Sequence, residues 1–344
     1  MRRYLPLFLL AFFVVVLIVV GTTFLAGYAD KQKPDTTKSI VLYTTIPVEQ
    51  AAVLAQEYER QSGVRVDVVP MSPADMITKG LAEAGHPRAD LVLTSRETLI
   101  ELNKHKLFAS YSSEQIDIIP ERFIDADNNW TGLWYDPIIV AANRDFIKKQ
   151  PQPLATWADL AKASNYRLVI TDFLAADASA NLLFTLTAVN GEEATLALLG
   201  KLHPKVVQYA KFLATPPRTV GLGEADIGIA VYSETLRYVL DGFPVDILYP
   251  KDGTAFLLTG VGLMKGAPHT PDAKKFVDWL VQDPAQDVLA QNKFYLIPTN
   301  PETKAYKNYN AKNIHLYEYE DKLSAEQKAK LLDKWVQTVR LSSK

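Results

Sequence analysis

The stretch GLGEADIGIAVYSETLRYVLDGFPVDILYPKDGTAFLLTGVGLMKG (221–266) decides how the rest of the chain is read. Its apolar run 227–231 ends in Tyr232-Ser233. A helical pattern follows over 234–241, and Gly242 closes it. A second strand pattern, 245–249, leads through the turn 250–254 into a third, 255–263. Strand, polar turn, helix, strand is the order of an open α/β sheet. In such sheets ligands lie beyond the carboxyl ends of the strands, where loop backbone and helix N-termini are free. Ser233 stands there, ending a buried strand and preceding a helix. It reads equally as a plain N-cap.

Other strand patterns end alike. Residues 40–43 run into Thr44-Thr45, and 64–69 into Pro70-Met71 and Ser72-Pro73. Residues 89–93 run into Thr94-Ser95. Residues 166–170 run into Thr171-Asp172, with Ser179 and Asn181 shortly after. Each puts a hydroxyl or amide where a helix begins, and helix starts carry orphan N–H groups and partial positive charge. Several converging on one cleft make a site for an anionic or strongly polar ligand.

A chain of 344 residues suits one large or two ordinary domains. A net charge of −2 gives no basic surface for nucleic acid. With no cysteine, disulfides, thiolate metal sites, cysteine nucleophiles and a lipidated cysteine are excluded.

Arg2 and Arg3 precede an uncharged stretch that lasts until Asp30. This is a positive n-region followed by an apolar segment. Gly27-Tyr28-Ala29 offers a small-x-small cleavage site, and the apolar run also reaches the roughly 20 residues needed to span a bilayer. Residues 1–29 are therefore expected to be a signal peptide or a membrane anchor, with the body periplasmic or extracytoplasmic either way. Residues 30–38, polar and holding Pro34, read as a linker.

Three βα units open the body, with helices expected over 47–62, 72–84 and 95–104. Trp134 and Tyr135 precede the run 138–142, and they read either as an aromatic ligand wall or as packing. Residues 306–320, rich in Asn, Lys and Tyr, read as surface. Ser324-Ala-Glu-Gln327 is a capping box that starts a last, structural helix. GxxxxGK, GxGxxG and HExxH patterns are absent, and His86, His105, His203, His269 and His315 lack metal-ligand spacing. No cofactor, metal or catalytic trio is expected, so an enzyme is disfavoured.

Several segments in this order resemble a family: Tyr43-Thr44-Thr45, Gln61-Ser62-Gly63, the ADLV of 89–92, the TWADL of 156–160, the GEAD of 223–226, the YPKDG of 249–253, and 262–268 running into 273–277. The chain is similar to the extracellular solute-binding proteins of ABC importers, in the branch of ferric-iron, polyamine, phosphonate and sugar-phosphate binders. The resemblance covers nearly all of 39–301. It implies an α/β fold of two lobes joined by two crossing hinge strands, closing on a ligand and docking on a permease. Residues 39–137 with 256–344 are expected to form lobe 1, and 138–255 lobe 2.

The resemblance also sharpens the ligand. Iron binders of this branch use adjacent tyrosines after the strand that matches 227–231, and a histidine after strand one. Here those places read Tyr232-Ser233-Glu234 and Thr44-Thr45-Ile46-Pro47, and polyamine sites want more acids and aromatics than these loop ends offer. The expected ligand is a small organic anion: a phosphonate, a phosphorylated compound or a carboxylate. Thr44, Thr45, Ser72, Thr94 and Ser95 would face it from one lobe. Ser179, Asn181, Tyr232 and Ser233 would face it from the other, with Trp134 and Tyr135 as the aromatic wall. Ferric iron, a polyamine, or a sensor subunit for a receptor kinase stay open as alternatives. The expected partners are the ligand and an ABC permease, with the protein itself a monomer.

Overall fold

The computed structural model describes residues 38–309, 311–318 and 323–342. The segment read as signal peptide or anchor, 1–29, and the linker up to residue 37 lie outside the described residues. Among the described residues no helix is long and apolar enough to cross a membrane.

Strand and helix alternate through β1 (Ser39–Thr44), α1 (Val48–Ser62), β2 (Arg65–Pro70), α2 (Pro73–Ala82), β3 (Leu91–Ser95) and α3 (Arg96–Lys104). A short β4 (Phe108–Ala109) and the long β5 (Trp130–Asn143) follow. The middle of the chain holds α4 (Arg144–Ile147), α5 (Trp157–Lys162), β6 (Leu168–Thr171), α6 (Asp177–Asn190), α7 (Glu192–Leu202), β7 (Val206–Ala210), α8 (Thr215–Gly221), β8 (Ile227–Val231), α9 (Tyr232–Leu240) and β9 (Val245–Leu248). The return is β10 (Phe256–Met264), α10 (Thr270–Leu280), α11 (Asp283–Gln291), β11 (Ile297–Pro298), α12 (Lys304–Asn308) and α13 (Ala325–Trp335).

The strands lie in the order β2-β1-β3-β10-β5-β8-β6-β7, with β9 and β11 on β5 and β4 on β10. β1 runs parallel to β2 and β3, and β6 runs parallel to β7 and β8. Between these two parallel blocks β5 and β10 run antiparallel, from Phe256 opposite Pro137 to Gly262 opposite Trp130. The second half of β5, from Ile138 on, pairs with β8 and β9 instead. One strand thus belongs to both lobes of a two-lobed α/β fold, and β10 crosses beside it.

The near-continuous apolar strands follow from burial on both faces. Side chains alternate along β5, so Ile138, Val140 and Ala142 join one core with Leu168, Ile170, Leu182 and Ile229. Ile139 and Ala141 join the other, which holds Ile40, Leu42, Leu91, Leu93 and Phe276.

The C-terminal segment departs from one expectation. Residues 306–320 are not simply surface: Ile314 is 6% and Leu316 2% exposed. Thr254 donates its N–H to His315 O at 2.9 Å and accepts from Tyr317 N at 2.9 Å. This makes a third, irregular crossing beside β5 and β10. It delivers α13 to the second core, where Leu331, Trp335 and Val339 are buried beside Phe173. Leu331, Trp335 and Val339 of the last helix thus share a core with Leu168, Ile170 and Ile229 rather than with the β1–β3 strands. The helix's apolar stripe could be read from the sequence, but the surface it covers could not.

Candidate functional site

In the first lobe the strand-end hydroxyls form one connected corner. Thr44 is buried and its Oγ1 donates to Leu93 O at 2.8 Å, tying the end of β1 to the end of β3. The same oxygen accepts from Ile46 N at 3.2 Å, which shapes the turn into α1. Thr45 Oγ1 and Thr94 Oγ1 share a 2.7 Å hydrogen bond. Ser95 caps α3 by accepting from Thr98 N, and Ser72 caps α2 by accepting from Asp75 N. Ser72 is exposed in the turn after the edge strand β2 and also donates to Asp75 Oδ2 at 2.7 Å. Its polar atoms thus serve its own helix.

The second lobe uses its predicted residues to build the loops. Ser179 Oγ lies 2.8 Å from both Asp172 O and Ala176 O, closing the loop between β6 and α6. Asn181 Nδ2 donates to Phe256 O at 2.8 Å, so α6 is fastened to the crossing strand β10. Tyr232 is 3% exposed, stacked on Tyr249 at 6.2 Å and edge-on to Tyr309 at 5.7 Å. Burial pushes its phenol well above the usual value.

Ser233 does not meet solvent as a free cap. Its N–H donates to Asp136 Oδ1 at 2.9 Å and its hydroxyl to Asp136 Oδ2 at 2.5 Å. Val231, the residue that precedes α9, makes no side-chain cap. A carboxylate from the crossing strand therefore caps the helix, where the macrodipole favours negative charge. Burial nevertheless dominates and holds the Asp136 carboxyl up at about 7; the Ser233 bonds oppose this and nearby Glu234 adds to it. Since Asp136 already occupies the donors at this N-terminus, it is a poor seat for a ligand anion.

The aromatic wall expected of Trp134 and Tyr135 gives way to packing. Each is 1% exposed. Tyr135 stacks on Phe123 at 5.3 Å and meets Phe256 edge-on at 6.0 Å. Full burial between β10 and β11 leaves neither ring a face for a ligand.

What the sequence reading left unassigned is cationic. The guanidinium of Arg96, first residue of α3, lies 5.2 Å from the centroid of the Phe256 ring, within cation–π range. Its side chain is 14% exposed, and its Nε lies 3.7 Å from Glu97 Oε1. Arg122 lies 4.8 Å over Phe123, in the same aromatic cluster. Two longer helices, α1 and α6, begin at Pro47 and Ala176 without a side-chain cap, leaving first-turn amides that a ligand could meet. Among the described residues no group of three or more His, Cys, Asp or Glu is placed to hold a metal ion.

The comparisons agree with this architecture. The family model for bacterial extracellular solute-binding proteins matches residues 53–315, and the chain belongs to that family. It is 25% identical to iron uptake protein A1 of a Synechocystis species over 80% of this chain and 82% of that protein. A Salmonella typhimurium periplasmic protein provisionally assigned to 2-aminoethylphosphonate is 23% identical over 74% of this chain and 75% of its own. The fold is similar to that of the periplasmic binding protein AfuA of Actinobacillus pleuropneumoniae, solved with exogenous fructose-6-phosphate bound. The TM-score is 0.69 and the identity 22%, covering 89% of this chain and all of the other. The protein is thus a periplasmic solute-binding component of ABC transport, a binder rather than an enzyme.

Proposed function

We propose that the chain captures a small organic anion between its lobes, carried on a phosphonate, phosphoryl or carboxylate group, and delivers it to a membrane permease. The observation that carries this is the Arg96 guanidinium held against Phe256 on a crossing strand, 5.2 Å from the ring. Arginine presents a planar fork of donors that matches such groups, and the ring beneath it fixes the plane at little cost in rotamer freedom. The uncapped first turns of α1 and α6 supply amides from either lobe. The Thr45–Thr94 hydroxyl pair stands beside the first of them.

One observation favours a second reading, a ligand that also carries an ammonium group. Glu234 Oε2 is buried without a hydrogen-bond partner, close enough to Asp136 to raise its pKa. Glu234 Oε1 already pairs with Arg237 Nη2 at 3.3 Å, so a cation seated there would meet Oε2 and compensate chiefly the Asp136 charge.

Native mass spectrometry of the purified full-length protein identifies what co-purifies. Calorimetry with citrate, fructose 6-phosphate, ethylphosphonate and 2-aminoethylphosphonate then sorts the two readings. Arg96→Ala is expected to weaken an anionic guest by about tenfold or more. A bound ferric ion or polyamine, with every anion inert, would end the proposal.

A further inference from the structure

We infer that Arg340, on the C-terminal segment, is a positioning residue for the ligand cleft; this rests on the proposed role of the α6 N-terminus. Arg340 Nε donates to Asp172 Oδ2 at 2.9 Å, and its guanidinium lies 4.4 Å over the Tyr209 ring. Asp172 is the first residue after β6, and its other contacts build the loop into α6. Its Oδ1 accepts from Leu174 N at 2.9 Å, and its carbonyl accepts from Ser179 Oγ at 2.8 Å. That loop ends at Ala176, where the 14 residues of α6 begin uncapped. The aim of those amides is therefore set through Asp172, whose backbone N–H is held by Ala210 O of β7 at 2.8 Å and whose carboxylate is held from outside the lobe's own sheet by Arg340.

The surroundings keep Arg340 in place. The Tyr209 hydroxyl lies 2.8 Å from His203 Nδ1, and His203 Nε2 lies 3.2 Å from Ser342 O. A carbonyl can only accept, so Nε2 carries a proton, and in the neutral ring Nδ1 accepts from the tyrosine. The chain on both sides of Arg340 is thus fixed, by Trp335 packed against Phe173 and Tyr209 before it and by Ser342 after it. Those contacts anchor the helix without Arg340. The ion pair itself is partly exposed, 34% on Arg340 and 15% on Asp172, which makes it a weak contributor to global stability. Its consequence is local: it selects one position of the Asp172 carboxylate.

Hydrogen exchange on the full-length protein tests this without a known ligand. In Arg340→Ala, amides of 173–178 are expected to exchange about tenfold faster, with the melting temperature and the amides of β1 unchanged. Arg340→Lys, which keeps charge near Asp172, is expected to recover most of the protection. A different pattern overturns the inference: faster exchange over 325–342 with 173–178 unmoved, which marks a role confined to holding the helix. Affinity for 2-aminoethylphosphonate and fructose 6-phosphate forms a separate arm. If neither binds the unaltered protein, the ligand reading fails for them while the exchange result still decides the role of Arg340. If one binds, Arg340→Ala is expected to weaken it at unchanged melting temperature, and unchanged affinity overturns the inference.

Discussion

Asp136 and Ser233, 97 positions apart, meet as cap and helix: one carboxylate accepts both the backbone N–H and the hydroxyl of Ser233. The crossing strand and the second lobe are therefore coupled through a titrating group. Any motion of α9 relative to β5 must break or carry those two bonds.

The coupling predicts a pH dependence. Burial holds the folded Asp136 carboxyl at about 7, above the roughly 3.9 of an exposed aspartate. The folded state thus binds this proton more tightly than the unfolded state between those values. Its contribution to stability is fully present below pH ~4 and is lost as pH rises through about 7. Asp136→Asn removes the titration and keeps an acceptor for Ser233 N. Between pH 5 and pH 8 the unaltered protein should lose on the order of 2 kcal/mol more than the variant in denaturant titrations. Parallel pH profiles would refute the assignment.

The hydroxyl corners should separate into structural and ligand-facing roles. Ser95→Ala removes the cap of α3 and should cost about 1 kcal/mol in denaturant titrations. Ser233→Ala deletes the 2.5 Å bond that lowers the Asp136 pKa, so that titration should move up further. Thr45→Ala breaks only the half-buried pair with Thr94 and should cost about 1 kcal/mol or less. Thr45→Ala should therefore stay folded and lose most of its ligand affinity, whereas Ser95→Ala and Ser233→Ala should act through the fold. Calorimetry with the ligand identified by mass spectrometry checks this, and unchanged affinity in Thr45→Ala would remove that corner from the site.

These contrasts show what a single sequence could carry. The βα alternation and the hydroxyls at strand ends were legible because they rest on local pattern: short apolar runs, caps, and Gly63 in the left-handed region ending α1. The capping box at Ser324 was legible for the same reason. The partners that define the site were not. Asp136 under Ser233 and Arg96 on Phe256 are contacts between segments distant in the chain, and no periodicity encodes them. Trp134 and Tyr135 misled because an aromatic pair before a strand reads the same whether the strand borders a cleft or fills a core. The nearest signal for Arg96 was its place just after the end of β3, and that became decisive only once Phe256 was seen beneath it.

The third crossing predicts a sensitive glycine. Gly253 has φ +107, and a Cβ there would lie 2.6 Å from Tyr317 Cε1. Gly253→Ala adds backbone strain and forces the Tyr317 ring away from the turn. Its carbonyl also accepts from Trp157 Nε1 at 2.9 Å, so displacement would reach α5. A destabilisation of about 2–4 kcal/mol is expected, with faster proteolysis within 311–342. Resistance to protease equal to that of the unaltered protein would show that the crossing does not depend on this close approach.

Trp335 tests whether the last helix is part of the second lobe's core or a detachable cover. It is 1% exposed, with its ring 4.6 Å from Phe173 and 5.8 Å from Tyr209. Phe173 follows Asp172 at the end of β6, so the indole supports the loop that leads into α6 from beneath. Trp335→Ala would leave a cavity between α13 and the sheet and should cost about 3–5 kcal/mol. If the helix is integral, thermal unfolding stays a single transition and moves down as a whole. If it detaches independently, exchange over 325–342 rises alone, the main transition is unmoved, and the second lobe's core closes without it.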